Sequence, residues 1–307
     1  MNLLIVGGAG YIGSHIVLSA LERGYSITVF DDLSTGSIKN INDNVKFVHG
    51  STLSISDLAE LFENNNFDYV IHLAASKAAG ESMLHPSKYA TNNIIGSLNL
   101  INFCSNHKIK SFIFSSSAAV YGNPEYTPID ESHPLVPTNY YGYTKLMIEN
   151  NLLWFSKLKK IRFAALRYFN AAGYDIKKRL LGLEKNAKNL IPIVMEAAIG
   201  LRKKINIFGN DYQTKDGTCV RDYIHVSDLA SAHLDTIDYI KKEGKNLIIN
   251  LGAGSGYSVL DVVNKVQEVC NVSIRYDFEN RRLGDSNIVL ANSELAKKLI
   301  SWEAKYS

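Results

Sequence analysis

Short apolar runs recur through the first half of the chain, at Leu3–Val6, Ile27–Phe30, Val45–Val48, Tyr69–Leu73, Phe112–Ser115 and Phe163–Leu166. Each is apolar at consecutive positions rather than alternate ones, as strands are when helices cover both faces of a parallel sheet. Between them, Ile12–Arg23, Ser56–Glu63, Pro86–His107 and Tyr141–Leu158 carry apolar residues at helical spacing. Strands alternating with helices predict βαβ units and a Rossmann-type, doubly wound α/β sheet. After about Asn170 the alternation weakens. Gly, Asn, Lys and Asp become frequent between Gly173 and Asn189 and between Gly209 and Gly217. A helix near Val226–Ile240, a strand at Leu247–Leu251 and a helix near Val259–Val269 predict a smaller mixed α/β lobe. The expected division is a first domain over 1–170 and a second lobe over 171–307, partly interleaved with the sheet. No internal repeat, low-complexity tract or long linker interrupts this plan.

Composition narrows the class. The chain has 307 residues, 46% hydrophobic and 21% charged, with a net charge of +3 and no basic cluster. A chain of this length buries a sizeable core without covalent staples. Neither nucleic acid nor a membrane surface is expected as the main partner. Cys104, Cys219 and Cys270 are far apart in sequence, so reduced thiols in a cytoplasmic protein are expected rather than a disulfide framework or structural zinc. The apolar opening is too short for a signal-peptide core, and no run approaches the roughly 18 apolar residues that span a bilayer. His72 and His225 lack paired ligand spacing, so no metal is expected.

The first candidate chemistry follows the first predicted strand. Gly7, Gly10 and Gly13 form G-x-x-G-x-x-G in the run Gly7-Gly8-Ala9-Gly10-Tyr11-Ile12-Gly13, where a helix is expected to open. Glycine permits the tight turn, lets the backbone approach a pyrophosphate and lets helix and strand pack closely. Alone, such a run is an ordinary glycine turn. Here Asp31-Asp32 ends the second predicted strand, 18 residues past Gly13, near the offset at which an acidic side chain accepts hydrogen bonds from the adenosine ribose. A carboxylate there repels a 2′-phosphate, so the expected cofactor is NAD rather than NADP.

A second candidate is Tyr141 with Lys145, one helical turn apart on one face. A free tyrosine titrates near 10, and lowering that by roughly three units takes about 4 kcal/mol of preferential stabilisation. An ammonium and a positive nicotinamide ring beside the phenol are expected to supply it, making Tyr141 a general base near neutral pH. By itself Tyr-x-x-x-Lys is more often a surface pair. It gains weight from Phe114-Ser115-Ser116-Ser117-Ala118-Ala119, a strand ending in hydroxyls at the edge where ligands bind in such sheets. Ser117 is the serine expected against a substrate oxygen.

Together these residues resemble the extended short-chain dehydrogenase/reductase superfamily and, within it, the UDP-glucose 4-epimerase family. Gly7 through His15, Phe112 through Ser117, Leu166-Arg167-Tyr168-Phe169-Asn170, Ile207 through Tyr212, Val220 through Val226, Asn250 through Gly254 and Arg281-Arg282-Leu283-Gly284-Asp285 carry the likeness. The resemblance implies an NAD-dependent inversion at C4 of UDP-glucose and UDP-galactose through a 4-keto sugar. It makes Tyr141 the base and acid, Ser117 its partner, and Lys145 the residue that holds the nicotinamide ribose. It places Tyr11, Ile12, Lys77, Asn92 and Tyr168 along the cofactor. Asn170, Asn189 and Leu190 would meet the UDP-sugar, Phe208 the uracil, Arg221 and Arg282 the diphosphate, and Asp285 the uridine ribose. A homodimer built through Pro86–His107 and Tyr141–Leu158 is also implied.

Related dehydratases and decarboxylases place a carboxylate just after the strand serines, where this chain has Ala118-Ala119. A sensor that binds dinucleotide without turnover is the alternative from another class, but it has no need of Ser117, Tyr141 and Lys145 together. Three departures from the family pattern stand out: Ser51 in place of an aspartate, Lys188 in place of an asparagine, and an end at Ser307 soon after Trp302, which implies a shortened C-terminal lobe. Val289 stands where some relatives carry a bulky tyrosine, which leaves room for a 2-acetamido group and so for UDP-N-acetylglucosamine or its galacto epimer.

Overall fold

A computed structural model describes residues 1–180, 188–282 and 284–306; residues 181–187, Leu283 and Ser307 lie outside the described residues. The chain enters through β1 (Asn2–Val6), α1 (Tyr11–Glu22), β2 (Ser26–Asp31), β3 (Lys46–His49), α2 (Ile55–Glu63) and β4 (Tyr69–His72). It continues through α3 (Ala79–Leu84), α4 (Pro86–Tyr89), α5 (Gly96–Asn106), β5 (Ser111–Ser117), α6 (Tyr140–Lys159), β6 (Arg162–Tyr168) and β7 (Asn170–Ala172). Then come α7 (Leu190–Ala198), β8 (Ile205–Phe208), β9 (Val220–His225), α8 (Val226–Glu243), β10 (Leu247–Leu251) and β11 (Gly256–Ser258). The last elements are α9 (Val259–Cys270), β12 (Tyr276–Glu279), β13 (Ile288–Val289) and α10 (Glu294–Ile300).

Seven parallel strands form the main sheet in the order β10-β6-β5-β4-β1-β2-β3. Successive side chains feed opposite layers. Leu3 and Ile5 pack with Ile16, Val17, Leu229 and Ile237 on the α1 and α8 side, whereas Leu4 and Val6 pack with Leu58, Leu61, Leu100 and Ile148 on the α2, α5 and α6 side. Burial of each such side chain stabilises the fold by about 1.5–3 kcal/mol, which is why these strands read as unbroken apolar runs. Strand order reverses between β1 and β4, and a crevice at that switch point is where ligands bind in sheets of this kind.

The interleaving has a definite form. β10 pairs with β6 along its whole length as the seventh strand, and α8 packs on α1, so residues 226–251 return to the N-terminal layer. The remaining lobe holds a four-stranded sheet, in which β9 lies between β11 and β13 and also pairs with β7, and the pair β12-β8, with α7 against α9.

The long helix expected over Pro86–His107 is broken. After α4 the backbone widens into a π turn at Ala90–Ile95 before α5 begins. The cause is polar. Buried Asn93 accepts from Ser76 N at 2.8 Å and donates to Ser76 O at 2.9 Å and Thr144 Oγ1 at 3.1 Å, while Asn92 donates to Ser76 Oγ at 3.1 Å. Two adjacent asparagines thus serve the loop after β4, a pairing that the wider turn permits.

Candidate active site

The glycine loop leaves β1 through Gly7, whose φ is +85°, and a Cβ there would lie 2.7 Å from Ala74 N. A Cβ on Gly13 would lie 2.2 Å from Gly7 O, so only glycine lets the first turn of α1 close on the loop. Gly10 caps α1 without any side-chain bond, leaving the helix N-terminus open to an anion. Ile12 packs against the core beneath it, and Tyr11 donates to Gly173 O at 2.5 Å, tying the loop to the second lobe.

The two aspartates divide. Asp31 is buried and accepts from Ala9 N at 3.0 Å and Leu33 N at 2.9 Å. Burial raises its pKa, and these two N–H bonds oppose the rise. Asp32 is exposed and accepts from Ser34 N at 2.9 Å. A turn that only glycine can make, an uncapped helix N-terminus and an acidic strand end beside them fit the pyrophosphate and ribose of a dinucleotide. At Ser51 the N–H is held by Asp57 Oδ2 at 3.0 Å.

β5 runs two residues further than the apolar pattern suggested, so Ser116 and Ser117 are strand residues at the switch-point end of the sheet. α6 then brings Tyr141 to them. Asn139 caps the helix through Gly142 N at 2.9 Å, and Ser82 Oγ accepts from Tyr141 N at 3.0 Å. A Cβ on Gly142 would lie 2.3 Å from Ala119 O, so glycine beside the tyrosine is what lets α6 press against the turn after β5. The Ser117 hydroxyl faces the Tyr141 phenol and favours its ionised form. Lys145 Nζ donates to Ser115 O at 2.7 Å and lies 4.8 Å from the Phe114 ring centroid and 5.7 Å from that of Tyr141.

Burial raises the Tyr141 pKa, opposed by the Ser117 hydroxyl, and burial pulls Lys145 down to about 7 with Glu149 opposing. An ammonium this desolvated is held only weakly in its charged form. The Tyr168 hydroxyl contacts that of Ser115, and its ring faces His233 at 5.9 Å inside the layer. Lys77 is exposed on the loop after β4, and Asn92 faces Ser76 of the same loop.

The second lobe brings its candidates together in pairs. Arg282 lies over Phe208, with its guanidinium carbon 3.9 Å from the ring centroid. Arg221 donates to Val220 O and Ser286 O, both at 2.9 Å, and meets Asp285 at 3.5 Å. Both arginines act electrostatically on Cys219, so the two pairs are neighbours. Asn170 donates to Asp222 O at 3.1 Å, Asn189 stands as the exposed N-cap of α7 with no side-chain bond, and Leu190 opens that helix.

Sequence reasoning missed the residues behind the site. Buried Asp222 accepts from Ala253, Gly254 and Ala291 N–H groups at 2.8, 2.9 and 3.1 Å, which fixes the loops around β9. Glu149 and Arg167 form a buried ion pair at 2.6 Å beneath the serine strand. Spacing held a signal for Glu149, which continues the face of Tyr141 and Lys145 by one more turn. Among the described residues no three His, Cys, Asp or Glu gather as metal ligands, and no helix is long and apolar enough to cross a membrane.

Known proteins share this arrangement. A UDP-glucose 4-epimerase of Halalkalibacterium halodurans is 43% identical over 306 residues, covering 100% of this chain and 91% of that protein. The structure of UDP-glucose 4-epimerase from Brucella ovis in complex with NAD superposes with a TM-score of 0.96 at 40% identity, covering 100% of this chain and 94% of that one. That from Bifidobacterium longum, in complex with NAD+ and UDP, gives 0.95 at 36% identity with the same coverage. The model of the NAD-dependent epimerase/dehydratase family matches residues 3–252, from the first strand of the main sheet through the last. With the likeness running end to end and through every strand that builds the site, the chain belongs to the NAD-dependent epimerase/dehydratase family.

Proposed function

We infer that this chain is an NAD-dependent UDP-glucose 4-epimerase that interconverts UDP-glucose and UDP-galactose. The observation that carries the reading is the convergence of Ser117 and Tyr141, with Lys145 beneath them, at the switch-point end of the sheet that also holds the glycine cradle. Tyr141 Oη takes the proton of the sugar 4-hydroxyl and later returns it, and Ser117 shares that oxygen. Bound NAD supplies the oxidising equivalent, accepting hydride from C4 and giving it back. Lys145 holds the nicotinamide ribose. Gly7, Gly10, Tyr11, Ile12 and Gly13 seat the pyrophosphate, Asp31 the adenosine ribose, and Lys77, Asn92 and the backbone at Tyr168 border the nicotinamide end. Asp32, turned to solvent, plays the lesser part.

Inversion requires the keto sugar to turn over without leaving, so binding is concentrated on UDP, remote from the reacting carbon. Arg221 and Arg282 clamp the diphosphate, since guanidinium forks match phosphate oxygens. Phe208 stacks near the uracil, Asp285 takes the uridine ribose, and Asn170, Asn189 and Leu190 close on the sugar nucleotide. Ala118 and Ala119 offer no carboxylate for elimination, which favours epimerisation over dehydration or decarboxylation. A non-catalytic sensor has no use for the tyrosine and its hydroxyl partner.

Acetylated UDP-sugars form a second reading, favoured by Val289, which packs against the same apolar cluster as Ala118 and pairs with Arg221. We also propose a homodimer. Helices α5 and α6 pack together, and Ile95, Leu153, Trp154 and Leu158 on and beside them are exposed, Trp154 by 59%. The three free cysteines suit a reducing cytoplasm. The decisive experiment incubates the NAD-loaded protein with UDP-galactose and with its acetylated analogue and identifies the product sugars. UDP-glucose among the products supports the reading, and its absence overturns it. Light scattering tests the dimer, which Trp154→Glu is expected to split.

A further inference from the structure

The pair Glu149–Arg167 has no part in the chemistry above, yet its side chains are only 2% and 3% exposed and lie directly behind the reacting groups. Glu149 stands on α6 one turn beyond Lys145 and two beyond Tyr141. Arg167 stands opposite Ser116 in the β5–β6 register, so both side chains point to the α6 face. Ser116 Oγ donates to Glu149 Oε1 at 2.5 Å, Arg167 Nε to the same oxygen at 3.0 Å, and Arg167 Nη2 to Oε2 at 2.6 Å. The guanidinium's remaining arm donates to the Tyr121 hydroxyl at 3.0 Å, which donates to Asn250 Oδ1 at 2.7 Å. The residue clamped in this way, Ser116, sits between Ser115, whose carbonyl holds Lys145, and Ser117, whose hydroxyl faces Tyr141. A buried ion pair contributes little net stability compared with apolar residues of the same size, so its place here calls for another reason.

We propose that Glu149 is a positioning residue for the epimerase reaction: it clamps the serine strand to the helix of Tyr141 and Lys145, and it sets a negative charge one turn from Lys145 that keeps the ammonium charged, with Arg167 holding the carboxylate in place. The proposal rests on the epimerase reading for its kinetic test. The groups that face Lys145 are Tyr141 and Glu149 from α6, His72 from β4 and, through Ser115, Tyr168 from β6; Arg167 reaches it through Glu149. Glu149 is the only carboxylate in this set. Burial already holds Lys145 at about 7, so loss of the carboxylate discharges it at lower pH.

The test uses the NAD-loaded double variant Glu149→Gln/Arg167→Met beside Glu149→Gln. The amide introduced by Glu149→Gln keeps an acceptor for Ser116, and the thioether introduced by Arg167→Met leaves no unpaired guanidinium. The double variant is therefore expected to melt close to the parent, while the single variant is destabilised. Two readouts follow: the alkaline limb of kcat/KM, and the titration of the Lys145 13Cε resonance, assigned by its loss in Lys145→Met. Both are expected to move down by about one pH unit in the double variant. The resonance reports without any turnover, so a failure of the epimerase reading leaves it interpretable. An unmoved Lys145 titration in the folded double variant overturns the proposal. Glu149→Asp keeps the charge but shortens the reach to Ser116, so it should retain the titration while kcat falls. A titration that shifts as far in Glu149→Asp as in the double variant also overturns it.

Discussion

The carboxylate of Asp31 accepts the main-chain N–H of Ala9 at 3.0 Å, joining the end of β2 to the glycine loop. The residue proposed to receive the adenosine ribose is thereby also the brace of the phosphate cradle. Removal of a hydrogen bond to a charged group costs about 1.5–3 kcal/mol. Asp31→Ala is therefore expected to weaken NAD binding about 10- to 100-fold, read by titration of the stripped protein. Asp32→Ala, which loses only a solvent-facing bond to Ser34, should bind within about twofold of the parent. Equal losses in the two variants would remove the distinction drawn here.

Tyr141→Phe keeps the ring that packs at the head of α6 and deletes the oxygen that faces Ser117. General acid–base catalysis contributes about 10²–10⁴-fold, and kcat should fall by that much with NAD still bound. Ser117→Ala is expected to cost less, because water can replace one neutral hydroxyl partner. Near-parental turnover in Tyr141→Phe would break the assignment.

Much of this site is legible in the sequence because it is built from local signals. Consecutive apolar residues mark β1, β2, β4 and β6, and the glycines at 7, 10 and 13 mark a turn whose geometry forbids a side chain at Gly7 and Gly13. Long-range pairing is not local. Nothing in Leu247–Leu251 says that it joins β6 rather than the smaller lobe, since any short apolar strand suits either place. The π turn was hidden for the same reason: Asn93 reads as an ordinary helix residue until Ser76 and Thr144 are beside it. The burial of Lys145 is not local either, because spacing shows which side chains meet but not how far water is excluded from them.

Arg282 covers the ring of Phe208 at 3.9 Å, and Arg221 is held by two carbonyls and Asp285. Arg221 is therefore set in place before any ligand arrives, whereas Arg282 is exposed and held by one aromatic face. Arg221→Ala should raise KM for UDP-galactose about 10- to 100-fold, as loss of a charged hydrogen-bonding partner does. Arg282→Lys should recover little of the loss seen in Arg282→Ala, because an ammonium is neither planar nor forked. If the lysine variant matches the parent in KM, the stacked geometry has no functional weight.

Acid lability should be governed by two histidines far from solvent. Burial pulls His72 down to about 3 and His233 to about 4, and both are almost wholly inaccessible. In the unfolded chain each binds a proton below about 6.5, so unfolding takes up protons between that pH and the folded value. Stability is thus full above about 6.5 and is lost as pH falls toward 4. His233 alone accounts for roughly 3 kcal/mol of that loss. Its Nδ1 lies 2.8 Å from Leu229 O within α8, a bond that asparagine is able to imitate. His233→Asn should flatten the decline of the melting temperature between about pH 6.5 and about pH 4.5, even if its stability at about pH 8 is lower. An equally steep decline in that variant would move the origin of the acid sensitivity elsewhere.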